Sequence, residues 1–212
     1  MALGGIRRSS DGSELESRLL RLIDDFSSRR LLVVGDLVAD EFIFGRLSRV
    51  SREAPVLILE YDKTTVLPGG AGNAASNVAT MGATAELVGV LGREDVDSRV
   101  LRAFPTGVKR SGIVRVKNYR TPVKTRILAG GLHSARQQIV RIDREGLVPD
   151  KVEIRSMVER SALDAFPECD AVLVSDYGSG LIPPSLVTSV RRSLAKRGRR
   201  LRVPILVDSR HQ

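Results

Sequence analysis

Three short apolar runs, LLVVGD (31–36), AVLVSD (171–176) and ILVD (205–208), each close on an aspartate, with helix-like stretches between them. Apolar runs without alternation suit strands buried on both faces, the environment of a parallel sheet covered by helices. A parallel sheet needs crossover connections, and the chain supplies them. Helical spacing or composition marks 14–26 (ELESRLLRLIDDF), the small-residue stretch 71–83 with its helix starting at Asn73, 95–104, 152–166 and 185–198, and ELVGVLG (86–92) reads as a further strand. The expectation is an α/β fold with a mostly parallel sheet and helices on both faces.

Two stretches break this rhythm. VLILEYDKTTVL (56–67) alternates in part, as a half-exposed antiparallel strand does, and 112–143 holds β-rich runs separated by Gly, Pro and polar turns. They predict a small antiparallel flap, or strands added to the main sheet.

Composition narrows the function classes. The 34 Lys and Arg against 25 Asp and Glu give a net charge of +9, the footprint of a protein that meets phosphates. Nucleic acid is disfavoured, because aromatic residues make up only 4% with no Trp, and the densest basic run, Arg191 to Arg202, reads as a solvated helix end and turn. No run approaches the roughly 18 apolar residues of a membrane span, and the Arg/Ser-rich start has no apolar core of a signal peptide. The expected location is therefore cytoplasmic, with neither nucleic acid nor membrane as partner. Cys169 is the one cysteine and reads as a small buried hydrophobe, and His133 and His211 offer no zinc-ligand spacing.

In open α/β sheets ligands bind beyond the carboxyl ends of the strands, so Asp36, Asp176 and Asp208 together would suit a polyol or magnesium. Taken singly, each serves equally well as a cap for the next turn. Pro68-Gly69-Gly70-Ala71-Gly72-Asn73 is sharper, since consecutive glycines ahead of a helix let backbone approach a ligand and aim N–H groups at it. Gly70, Gly72 and Ala75 also match the dinucleotide fingerprint, which would make this a Rossmann protein, but that motif should follow the first buried strand and here it does not. A phosphate-cradling P-loop is excluded because no Gly-Lys-Ser/Thr follows.

As a set, GDLVADEFIFGRLSRVSREAPVLILE, PGGAGNAASNVATMGA, TRILAGGLHSARQQIVRIDRE, SDYGSGLI and PILVDSR resemble, in order and spacing, the ribokinase-like (PfkB) carbohydrate kinases, and most nearly the kinase domain of the bacterial heptose-7-phosphate kinases. The resemblance spans Leu31 to Arg210. It implies a ribokinase-like domain over 31–212 behind an N-terminal extension and helix over 1–30, with a small β lid from about 42–66 and 112–143. It further implies an ATP- and Mg2+-dependent phosphotransferase acting on an alcohol group, here the anomeric hydroxyl of heptose 7-phosphate, in lipopolysaccharide-precursor synthesis. Sugar hydroxyls would meet Asp40, at the end of the first loop, and Gly69, Gly70 and Asn73. The chemistry of these groups is apt, because a carboxylate accepts hydroxyl hydrogens, an Asn amide donates and accepts, and a Gly backbone leaves room. Arg49, Lys124, Arg126 and Arg141 lie in or beside the lid and would face a sugar phosphate. The lid would exclude water and pair two subunits into a homodimer.

The chain departs from that pattern in three places. Ser179 stands where these kinases usually have Lys, and Ser209-Arg210 where they have Pro-Lys. The catalytic Gly-Ala-Gly-Asp and the Asn-x-x-Glu motif that helps manage magnesium occur nowhere in the 212 residues. No catalytic aspartate is therefore assigned, and a truncated kinase with the C-terminal part of the fold missing is expected. The alternatives are another PfkB-type sugar or nucleoside kinase, a non-catalytic sugar-binding module, a Rossmann NAD-binding protein and a basic nucleic-acid-binding domain.

Overall fold

A computed structural model describes residues 10–130, 135–146, 151–182, 185–196 and 203–209. The described residues form two sheets. The first has five parallel strands in the order β5-β4-β1-β8-β9: β1 is Arg30–Gly35, β4 Thr84–Leu91, β5 Val108–Arg115, β8 Ala171–Asp176 and β9 Ile205–Ser209. The second has four, in the order β3-β2-β6-β7: β2 is Leu37–Val50, β3 Leu57–Gly70, β6 Val123–Gly130 and β7 Gln137–Arg144. It is mixed, since β2 runs antiparallel to β3 and parallel to β6, and β6 antiparallel to β7.

The apolar run of β1 explains the centre of the molecule. Leu32, Val33 and Val34 are all fully buried, and their alternation sends them to opposite layers. Leu32 and Val34 pack with Val158, Phe166 and Leu186, from helices α4 (Lys151–Ala165) and α5 (Leu186–Lys196) and the turn after α4. Val33 packs with Ala75, Leu87 and Val100, the layer of helices α2 (Ala71–Thr80) and α3 (Asp95–Ala103). Each such side chain contributes on the order of 1.5–3 kcal/mol by leaving water.

Cys169 lies in the α4/α5 layer, fully buried. Its thiol donates to the Ala165 carbonyl at 3.4 Å. Burial pushes that thiol up from 9.0 to about 12. Helix α1 (Ser10–Asp24) forms as its spacing predicts, yet Leu15, Leu19, Leu20, Leu22 and Ile23 are each about half exposed.

Three expectations need correction. Residues 37–50 are one continuous strand, so Asp40 sits within β2 and not at the end of a loop; the antiparallel ladder with β3 keeps the chain extended through it. Helix α2 starts at Ala71, two residues before Asn73, because Gly70 with φ +57° turns the chain out of β3 there. The stretch 112–143 divides: β5 extends the five-stranded sheet, whereas β6 and β7 belong to the other. Of the basic run, Arg191 and Arg192 are exposed on α5 and 197–202 lie outside the described residues, as do His133, Arg210, His211 and Gln212. No helix among the described residues is long and apolar enough to cross a membrane.

Candidate functional site

The two sheets meet where β1 ends. Asp36 alone separates β1 from β2, and its backbone is held from both sides: its N–H donates to the Ser175 carbonyl at 3.0 Å, and its carbonyl accepts from Ala71 N–H at 2.9 Å. Its buried carboxylate accepts from the N–H groups of Tyr177 (2.8 Å) and Ser179 (3.2 Å) and from the Ser179 hydroxyl. Asp176 likewise turns inward to the loop, accepting from Gly178 N–H at 2.9 Å and from the Ser209 hydroxyl at 3.2 Å. Both acids therefore cap the loop after β8.

Among the described residues no group of three or more His, Cys, Asp or Glu is placed to hold a metal ion. The acids that the strand-end pattern suggested for magnesium do not converge: Asp36 accepts from the loop after β8, Asp176 from Gly178 and from Ser209 of β9, and Asp208 lies exposed on β9.

Asp40 behaves differently. On β2, it lies so close over Gly69 of β3 that a Cβ at that glycine would stand 2.4 Å from Asp40 Oδ2. Its other oxygen accepts from Arg126 Nη1 on β6 at 2.5 Å, and both side chains are about three-quarters buried. The Arg126 guanidinium also lies over the Phe42 ring, 5.3 Å from its centroid, within cation–π range. Across the β6–β7 ladder the register sets Arg126 directly opposite Arg141. Cross-strand partners share a face of the sheet, so like charges there repel. Each has an acid to offset this, since Arg141 donates through Nε and Nη2 to Asp143 at 2.8 and 3.0 Å.

Beside this cluster, beyond the carboxyl ends of β1 and β8, lies a cleft of about 440 Å³ lined by Asp36, Val38, Tyr119, Lys124, Tyr177 and Ser179. Lys124 Nζ lies 5.8 Å over the Tyr177 ring, and Tyr119 is almost wholly buried, its hydroxyl held protonated by burial and by the charges of Asp36 and Asp97. The cleft thus offers an ammonium beside aromatic surface, a mixed set that suits a polar small molecule.

Of the residues singled out in the sequence, the structure brings together Asp40, Gly69 and Arg126, with Arg141 next in register and Gly70 close beside the Asp36 carbonyl at the junction. Asn73 is exposed on the first turn of α2 and Arg49 exposed near the end of β2. Sequence patterns missed Tyr119 and the tie between the second sheet and α3, in which Glu41 accepts from Thr125 Oγ1 at 2.8 Å and faces Arg99 at 3.7 Å. Glu41 follows Asp40 directly, so strand alternation, had β2 been foreseen, would have sent it to the opposite face.

No family model matches the chain. Among solved structures the ribokinase of Arabidopsis thaliana complexed with ribose and ATP aligns with TM-score 0.51 at 20% identity over 85% of this chain and 53% of that one. Phosphofructokinase-2 of Escherichia coli in complex with fructose-6-phosphate aligns with TM-score 0.54 at 16% identity, over 85% and 54%. The two-sheet architecture is therefore part of the ribokinase-like fold, of which the chain covers about half.

In sequence the chain is 38% identical to the bifunctional protein HldE of Gluconobacter oxydans over 190 residues, 88% of this chain and 38% of that protein. It is 33% identical to HldE of Hyphomonas neptunium over 199 residues, 92% of this chain and 38% of that protein. The chain is a homologue of part of the HldE proteins, and it spans less than two-fifths of the length of these curated relatives.

Proposed function

We propose that this chain carries the acceptor-binding part of an ATP- and Mg2+-dependent carbohydrate kinase whose acceptor is heptose 7-phosphate, phosphorylated at its anomeric hydroxyl. The observation that carries this reading is the seat of Asp40: a carboxylate laid over the Gly69 backbone beside a cleft, in a chain homologous to HldE. Asp40 would accept hydrogen bonds from sugar hydroxyls, and Gly69, Gly70 and Asn73 would border the ring. Arg126 and Arg141, side by side on one face, would meet the phosphate, because paired guanidiniums match phosphate oxygens in charge and geometry.

ATP and its metal would bind beyond these residues, since the described acids are not grouped to hold a metal ion. Transfer itself needs a base positioned on the attacking hydroxyl and donors around the moving phosphoryl group. A cytoplasmic homodimer belongs to the same reading. Leu47, Leu57 and Ile139, each nearly half exposed beside an apolar hollow of the four-stranded sheet, support that part of it.

The test is binding of heptose 7-phosphate, ribose, fructose and adenosine by calorimetry, with Asp40→Ala and Asn73→Ala beside the wild type. Heptose 7-phosphate should bind most tightly, and each substitution should weaken it at least tenfold with the fold intact. Preference for an unphosphorylated sugar or a nucleoside would remove the heptose assignment, and wild-type affinity in Asp40→Ala would remove the site.

A further inference from the structure

At the centre of the proposed acceptor site two charged groups already engage each other. Asp40 Oδ1 accepts from Arg126 Nη1 at 2.5 Å, while Oδ2 lies against Gly69. A sugar hydroxyl that seeks this carboxylate therefore meets one oxygen crowded by backbone and the other held by a guanidinium. Arg126 has a second place to go. It lies over the Phe42 ring and directly across from Arg141 in the ladder, so the neighbour on β7 is within the reach of its flexible stem. Repulsion between the two guanidiniums opposes such a move unless an anion stands between them.

We infer that Arg126 is a specificity-determining residue that works by exchange: the acceptor's phosphate draws Arg126 off Asp40, and the carboxylate oxygen it leaves then accepts the sugar hydroxyl. The inference rests on the proposed acceptor site and adds to it a coupling between its two halves. A phosphate monoester brings a charge of about −1.5 to −2 at neutral pH, enough to replace the single carboxylate as partner of Arg126 and to offset Arg141 beside it. A neutral sugar brings no such partner. At Asp40 Oδ1 it has to compete with a cation, and displacing Arg126 would leave a guanidinium, three-quarters buried, without its anion. The phosphate is thereby sensed at the oxygen that holds the sugar, and an unphosphorylated analogue is disfavoured twice, at the arginines and at the aspartate.

The experiment titrates the chain, and its Arg126→Ala, Arg126→Lys and Asp40→Asn variants, with heptose 7-phosphate, the same heptose without phosphate, and inorganic phosphate, with a thermal melt of each variant. Exchange predicts changes of opposite sign. Arg126→Ala should bind heptose 7-phosphate at least tenfold more weakly and plain heptose severalfold more tightly, because Asp40 is released. Asp40→Asn should bind inorganic phosphate severalfold more tightly, because Arg126 is released, and Arg126→Lys, which keeps the charge without the fork, should fall between wild type and Arg126→Ala for both sugars. Equal weakening of both sugars in Arg126→Ala, or unchanged phosphate binding in Asp40→Asn, overturns the exchange. If Asp40→Asn binds heptose as the wild type does, the acceptor site itself lies elsewhere; if that variant loses heptose while Arg126→Ala weakens both sugars alike, the site stands and the exchange fails.

Discussion

The hydroxyl of Ser179 donates to the buried carboxylate of Asp36, a residue 143 positions earlier in the chain. The same hydroxyl oxygen accepts from Leu181 N–H at 3.1 Å, so one small side chain closes the loop after β8 onto the end of β1. Ser179→Ala leaves a buried carboxylate short of a donor and should cost about 1–3 kcal/mol. For a chain of this size about 1 kcal/mol corresponds to roughly 2–4 °C, so a melt resolves it. An unchanged melting temperature would mean that the two remaining N–H donors suffice.

Gly69→Ala and Gly70→Ala should separate binding from stability. At Gly69 an added Cβ would stand 2.4 Å from Asp40 Oδ2, the end of a side chain that can turn away. Sugar-phosphate binding should fall at least tenfold, with a smaller loss in the melt than at Gly70, because Asp40 turning away loosens its pair with Arg126 and the Val38 carbonyl stands 3.2 Å from the added Cβ. At Gly70 the Cβ would stand 2.3 Å from the Asp36 carbonyl oxygen, on backbone with φ +57°. That residue cannot give way, and the cost should reach about 1–3 kcal/mol of backbone strain or more. Calorimetry and thermal melts of the two variants check both outcomes, and equal behaviour would contradict the distinction.

Cys169 should stay inert at neutral and mildly alkaline pH. Its thiol is pushed up to about 12 by burial first, with smaller contributions from Glu86, Asp170 and Glu168 against an opposing one from Arg30. The thiolate is the reactive form, so alkylation of the native chain at pH 8 should be far slower than in denaturant. The shift also sets a sign for stability. Between its ordinary value of 9.0 and about 12 the unfolded chain loses this proton and the folded chain keeps it, so stability falls as pH rises through that window. Rapid native-state labelling at pH 8 would contradict the burial.

Residues 1–212 by themselves should release no ADP in a sugar-dependent assay. No Gly-Ala-Gly-Asp stands in the sequence, and the strand-end acids Asp36 and Asp176 are already engaged, Asp36 by the loop after β8 and Asp176 by Gly178 and Ser209. Removing both the base and the stabilisation of the moving group removes nearly all that a protein contributes to this reaction. Turnover comparable to that of a full-length HldE kinase would place the catalytic groups within these positions.

The sheet and its helices were legible because burial writes itself into sequence. Leu32, Val33 and Val34 form an unbroken apolar run because helices cover both sides of β1, and α2 is rich in Ala because it lies close against the sheet. The second sheet was less so. GDLVADEFIFGR alternates poorly, since each face carries both an acid and apolar side chains, Asp40 with Phe42 on one and Glu41 with Ala39 and Ile43 on the other, and the ladder with β3 makes it a strand. The pairing of Arg126 with Arg141 was beyond reach, because a register shift between Ile127 and Leu128 decides which residues of β6 and β7 face each other. The family resemblance named Asp40, Gly69 and Asn73, but not that Asp40 would be held by Arg126.

The single residue between the sheets leaves no slack in the chain. Asp36 holds hydrogen bonds through its N–H, its carbonyl and its carboxylate, so its torsions cannot act as a free pivot. Compliance must then come from farther out, where the β2–β3 ladder slips register between Phe44 and Gly45 and again between Leu47 and Arg49. The four-stranded sheet is thus anchored most firmly at its root, where Asp40 and Gly69 sit, and its ladder is irregular only toward the tip.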